Sequence, residues 1–193
     1  MSNVESVWHL EHRTLNVDTR RPLRIGISSC LLGDEVRFDG GHKRDPLLID
    51  LFGPHVEWIR VCPEVEVGMG VPREPVHLVR GAGGVRMITV NTRVDYTDRM
   101  REWAARRAAA LAAMDLDGYV LKKDSPSCGM RGVKLYEAET GAWSREGIGL
   151  FASALMAASP QLAIEDEGRL ADPVIRTRFL ERVMTRHRHR IGQ

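Results

Sequence analysis

Cys30, Cys62 and Cys128 are the only thiols among 193 residues, and each stands where an apolar run gives way to a turn-forming segment: LRIGISSC, EWIRVCPE and YVLKKDSPSC. Ligands of open parallel sheets bind beyond the carboxyl ends of the strands, so thiols at three such ends can meet in one crevice. A small, odd, widely spaced set is a poor disulfide framework and suits metal binding or catalysis in a reducing compartment. Structural zinc usually takes four Cys or His ligands that include a close pair. Here no cysteines pair closely, His187 and His189 sit too close together for the usual spacing, and His42, His55 and His77 are scattered. An electron-transfer iron–sulfur centre normally shows four cysteines. Three thiolates on a cubane cluster leave one iron without a protein ligand. Such an iron is a Lewis acid, and sulfur is a soft donor matched to it. Free buried thiols are the plain alternative.

Elements that could position the thiols recur as strand-like runs alternating with helical patterns, which predicts a parallel sheet flanked by helices in an α/β, Rossmann-like domain. LRIGISS opens as a strand, and a long polar loop follows Cys30. Asp45 and Pro46 form a cap and first-turn pair for a short helix that Gly53 stops. A second strand spans 56–61 and ends at Cys62-Pro63, because proline cannot donate to a ladder. GMGVPREP reads as turn-rich, and residues 85–90 as a further β run. Thr97 is expected to cap a helix over 98–114, with Met100, Trp103, Leu111 and Met114 at helical spacing. Residues 119–122 start a strand that ends in the loop DSPSCGMRG, and VKLY leaves that loop. Residues 147–158 read as a buried helix, QLAIEDE as a last strand, and Asp172-Pro173 as the start of a basic helix. Trp58 and Trp103 fit core positions better than base-stacking ones.

An apolar fraction of 43% in a chain of this length suits one domain with a full core. Residues 1–21 read as a polar leader, 22–166 as the domain that carries the thiols, and 167–193 as a basic helical extension. No apolar run approaches the roughly 20 residues of a membrane span. The N-terminus lacks the pattern of a secretory signal, so a cytoplasmic protein is expected. The net charge of +2 hides an asymmetry: residues 172–193 carry six arginines against two acids, and the rest of the chain carries 22 basic against 24 acidic side chains. A basic helix can follow a phosphate backbone, and a solvated arginine-rich face is its plainer reading.

GISSCLLG, VCPEVEVGMGVPREPV and KKDSPSCGM, in that order, resemble the three signature segments of the thiouracil and thiouridine desulfidases over roughly residues 23–151. The resemblance implies a 4Fe-4S cluster on Cys30, Cys62 and Cys128 with one open iron. It also implies non-redox removal of sulfur from a thiolated pyrimidine, giving uracil or uridine and sulfide. Glu64 matches that family's acid/base candidate and Ser125 its catalytic serine; a turn glutamate and a turn-capping serine are their ordinary readings. Ser29, Asp39, Arg73, Lys123 and Ser127 are candidate substrate-binding residues, and the loop with Asp39, His42, Lys43 and Arg44 is a candidate lid. Arg73 and Lys123 would hold a uracil carbonyl or a phosphate, or else form structural salt bridges, as would Glu66 with Arg73. The tail resembles the stretch that joins this domain to a second one in members acting on 4-thiouridine in tRNA, which makes tRNA a candidate partner of a monomer or weak dimer. An RNA-binding or assembly module with a structural metal is the rival reading. A sulfur carrier or thiol redox protein ranks lower, because no C-x-x-C is present.

Overall fold

The structure, a computed structural model, describes residues 20–192; the expected leader lies almost wholly outside them. Strand β1 (Leu23–Ser28) is central, with Leu23, Ile25 and Ile27 fully buried on one face, and it pairs in parallel with β2 (Val56–Val61) on one side and with β5 (Gly118–Leu121) on the other. The first sheet runs β2-β1-β5-β8, with β8 (Ala163–Asp166) parallel to β5. The three strands that precede the cysteines are therefore neighbours, and their carboxyl ends open on one side. Parallel pairing buries both faces of a sheet's interior, as in the fully buried GYVL of β5, whereas β2 at the edge keeps Glu57 and Arg60 exposed.

A second sheet takes two strands from between β2 and β5 and two from between β5 and β8, and it is absent from the sequence-based expectation except for two of its runs. It runs β4-β3-β6-β7. Strands β3 (Val76–Gly81) and β4 (Gly84–Thr89) form an antiparallel hairpin, β6 (Val133–Glu137) lies parallel to β3, and β7 (Trp143–Gly147) is an antiparallel edge. The turn-rich reading of GMGVPREP holds over its whole length, and β3, which the sequence reading did not include, begins directly after Pro75.

Helix α1 (Pro46–Phe52) starts as expected: the Asp45 carboxylate accepts from the Leu48 amide. Helix α2 (Pro63–Glu66) is a single turn immediately after Cys62. Helix α3 (Thr97–Ala113) differs from expectation at its start. Thr97 is the first helical residue rather than the cap, because its hydroxyl donates to Asp95 Oδ1 and accepts from the Met87 amide, tying the helix to β4. Met100 and Leu111 are fully buried on the inner face of α3, as its periodicity predicts. Helix α4 (Leu150–Ala158) begins three residues later than the apolar run suggests, since Gly147 ends β7 and Gly149 is the cap.

After β8 come the short α5 (Glu167–Leu170) and the basic α6 (Pro173–Ile191), capped by Asp172. Phe179 and Val183 of α6 pack in the same core as Leu23, Ile25, Ile27 and Val120. A Cβ on Gly118 would lie 2.7 Å from Val183, so a small residue in β5 lets the helix close on the sheet. Trp58 edges onto Phe52 at 5.3 Å, and Trp103 tilts onto Phe151 at 5.4 Å, both at the margins of the core. Among the described residues no helix is long and apolar enough to cross a membrane.

Candidate active site

Cys30 lies in the turn of 3-10 helix (Ser29–Leu32) that follows β1 without a break, and Cys62 is the residue after β2. Cys128 sits further from its strand, in the loop after β5, and that loop is held by main-chain bonds rather than left free. The amides of Gly149, Leu150 and Ala152, at the start of α4, donate to the carbonyls of Gly129, Pro126 and Ser127. Those amides have no partner within their own helix, so the loop satisfies them while they fix the loop. Close approach is possible because residue 149 is glycine: a Cβ there would meet Ser127 O at 2.4 Å.

The three thiols line one cavity of about 290 Å³ together with Ser29, Glu64, Arg73 and Ser125. Cys62 Sγ stands 3.7 Å from Glu64 Oε2, and Ser125 Oγ lies 3.5 Å from Glu64 Oε1. Ser125 Oγ also accepts from the amides of Ser127 and Cys128 at 3.2 and 3.0 Å. The serine is therefore both a turn cap and the neighbour of the carboxylate. Burial pushes the Cys30 thiol up to about 11, with the nearby Glu64 carboxylate adding to it and Lys122 opposing. Burial, reinforced by Glu64, likewise takes Cys62 up to about 12 and Cys128 well above the usual thiol range. Thiols so placed become thiolates only when a strong positive charge joins them.

Other sequence candidates take different positions. Ser29 is buried on the cavity wall, and its hydroxyl has no hydrogen-bond partner among the described residues. Arg73 crosses beneath the long loop, donating from Nη1 to Val36 O and Gly70 O, both at 2.9 Å, while its amide donates to Phe38 O. The loop is thus a braced rim over the cavity. Asp39 does not line the cavity: it is exposed, 3.4 Å from Arg37 Nε, and caps the Gly41 amide. Glu66 pairs with Arg107 at 3.3 Å, not with Arg73, and Oε1 accepts from the Cys62 amide. Ser127 is fully buried outside the cavity wall. The Lys123 stem packs on Gly168, and it is Lys122 that faces the cavity.

The chain matches the 2-thiouracil desulfurase family over residues 25–167. It belongs to that family. The desulfurase match takes in all three cysteines, Glu64, Ser125 and both sheets except Leu23 and Arg24 at the start of β1. YbbK of Bacillus subtilis, an uncharacterized protein, is 33% identical over 110 residues, which is 54% of this chain and 72% of its own. The solved structure of the [4Fe-4S]-dependent thiouracil desulfidase TudS shares this fold with a TM-score of 0.61 and 26% identity, covering 80% of this chain and 97% of its own. Sequence reasoning missed Lys122, Arg37 and Phe38 on the cavity wall; the loop composition marked the region but not which side chains turn inward.

Proposed function

We propose that the protein is a thiouracil desulfidase that removes sulfur from a thiolated pyrimidine base. The observation that carries this is the convergence of Cys30, Cys62 and Cys128 on one cavity beside Glu64 and Ser125, in a chain of the desulfurase family. The donor set suits an iron–sulfur cluster. Cys30, Cys62 and Cys128 line one cavity. Their number leaves a cubane one iron short of protein ligands, and the dependence of TudS on a [4Fe-4S] cluster supports the same choice.

Held by Cys30, Cys62 and Cys128, a 4Fe-4S cluster would supply a Lewis-acidic iron for which a thiocarbonyl sulfur is a matched soft donor. Glu64, at the first turn of α2, is the group placed to take a proton from water attacking the ring carbon. Ser125, held by two amides and donating its single O–H to Glu64, keeps that carboxylate oriented. The rim from Val36 to Phe38, clamped by Arg73, narrows the entrance. Uracil and sulfide are the products.

A free base or small nucleoside fits this reading better than tRNA. Arg182 and Arg186 of α6 donate to the carbonyls of Leu162 and Leu116, Arg190 binds Asp117 and Pro22 O, and Arg176 binds Leu170 O. Most of the basic tail is therefore engaged with its own domain. The test is to incubate the anaerobically reconstituted protein with 2-thiouracil, 4-thiouracil and thiolated tRNA. Loss of the thiocarbonyl absorbance on the free bases alone is expected. Turnover confined to tRNA, falling steeply with salt as phosphate contacts would require, would reverse the substrate assignment.

A further inference from the structure

Lys122 is the first residue after β5, and its amide donates to Ser28 Oγ at 3.0 Å, which locks the strand ends of β1 and β5 together behind Cys30 and Cys128. The residue lines the cavity, its charge reaches the Cys30 thiol there, and its side chain keeps only 15% of its surface exposed. A lysine has three N–H donors. One goes to Glu167 Oε1 and one to Lys123 O at 3.1 Å, and among the described residues the third has no protein acceptor. Glu167, the first residue of α5, is 10% exposed and also accepts from the Lys123 amide at 2.8 Å. The carboxylate thus fixes both the direction of the ammonium and the backbone that carries it. Gly168 makes this packing possible, because a Cβ there would lie 2.5 Å from Lys123 Cδ.

We propose that Lys122 is a substrate-binding residue whose remaining N–H holds the exocyclic carbonyl oxygen of the thiolated pyrimidine, with Glu167 as its positioning residue. A compact ammonium, desolvated and already paired with one carboxylate, gives a directed charge-assisted hydrogen bond to a carbonyl without carrying a net positive charge into the cavity. The hydrogen bond to that oxygen orients the ring and withdraws electron density from it, which favours attack at the thiocarbonyl carbon. The assignment makes the segment after β8 part of the site and rests on the desulfidase reading.

The substrate itself offers the test. 2-Thiouracil keeps one exocyclic oxygen, whereas 2,4-dithiouracil has none. For anaerobically reconstituted protein, Lys122→Met should weaken uracil binding, measured by calorimetry, about tenfold to a hundredfold, the range for a lost hydrogen bond to a charged group. It should lower kcat/KM on 2-thiouracil by at least as much and on 2,4-dithiouracil far less; that ratio is independent of the fraction of protein folded or loaded. Glu167→Gln, which keeps an acceptor for the Lys123 amide and removes the charge, should show the same selectivity at smaller size. Equal losses on both substrates, or unchanged uracil binding, would overturn the assignment while leaving the desulfidase reading intact. No sulfide from either substrate with the unaltered protein would overturn both.

Discussion

The two ends of the sheet β2-β1-β5-β8 treat their polar groups in opposite ways. At the amino end, Asp117 is fully buried and closed on every side. Its carboxylate accepts from the Arg24 amide at 2.8 Å and from Arg190 Nε and Nη2 at 2.9 Å, and it faces His187 Nδ1 at 3.2 Å. At the carboxyl end, three thiols line the cavity, the Cys62 thiol 3.7 Å from Val36 O and from Glu64 Oε2, while the Ser29 hydroxyl and one Lys122 N–H have no partner among the described residues. Buried polar groups in folded proteins are nearly always paired. Here the closed groups hold α6 to the sheet and the open Ser29 hydroxyl borders the cavity, while Tyr119, His55 and Ser144 also keep buried polar atoms without a partner away from it. The arginine-rich tail belongs to the first kind, although its composition alone resembled a nucleic-acid surface.

Substitution at either end tests this contrast. The largest effect belongs to the thiols: Cys30→Ala, Cys62→Ala or Cys128→Ala should each abolish desulfidation and cluster content, measured as iron and labile sulfide per chain, while cluster-free protein unfolds at nearly the parent temperature. Full cluster content in any one of them would remove that residue from the ligand set. Glu64→Gln should retain the cluster and lose about 10²- to 10⁴-fold in kcat, the span of general acid–base catalysis. At the opposite end, Asp117→Ala leaves Arg190 and the Arg24 amide without their acceptor. It should cost about 3–5 kcal/mol in urea unfolding, as for a broken buried ion pair, and leave KM for 2-thiouracil unchanged; an altered KM with unaltered stability would collapse the distinction between the two ends. Ser125→Ala should cost about 1 kcal/mol in stability for a lost amide cap and slow turnover through Glu64.

How far the sequence reveals all this depends on whether a feature is local. Asp45-Pro46 and Asp172-Pro173 announce their helices because capping is decided within a few residues. The cysteine positions are legible because apolar β runs lead to them. Strand β3 is hidden because His77 and Arg80 interrupt its apolar alternation and the prolines before it suggest a loop; what makes it a strand is pairing with β4 and, over a long separation, with β6. The WSREG segment of β7 is too polar to read as a strand, and its exposed edge position explains why it can be. Lys122 and Lys123 are adjacent, so composition cannot tell which enters the cavity. Glu167 and Gly168 settle that from a segment more than forty residues away.

Anaerobic incubation of the reconstituted protein with 2-thiouracil, following uracil formed and sulfide released in one sample, bears most directly on the claim that the three thiols frame a desulfidation site. The account predicts uracil and sulfide in equal amounts over several turnovers, with none from protein stripped of iron. Uracil formation by the iron-free protein, or an iron-loaded protein that leaves 2-thiouracil intact, would contradict it.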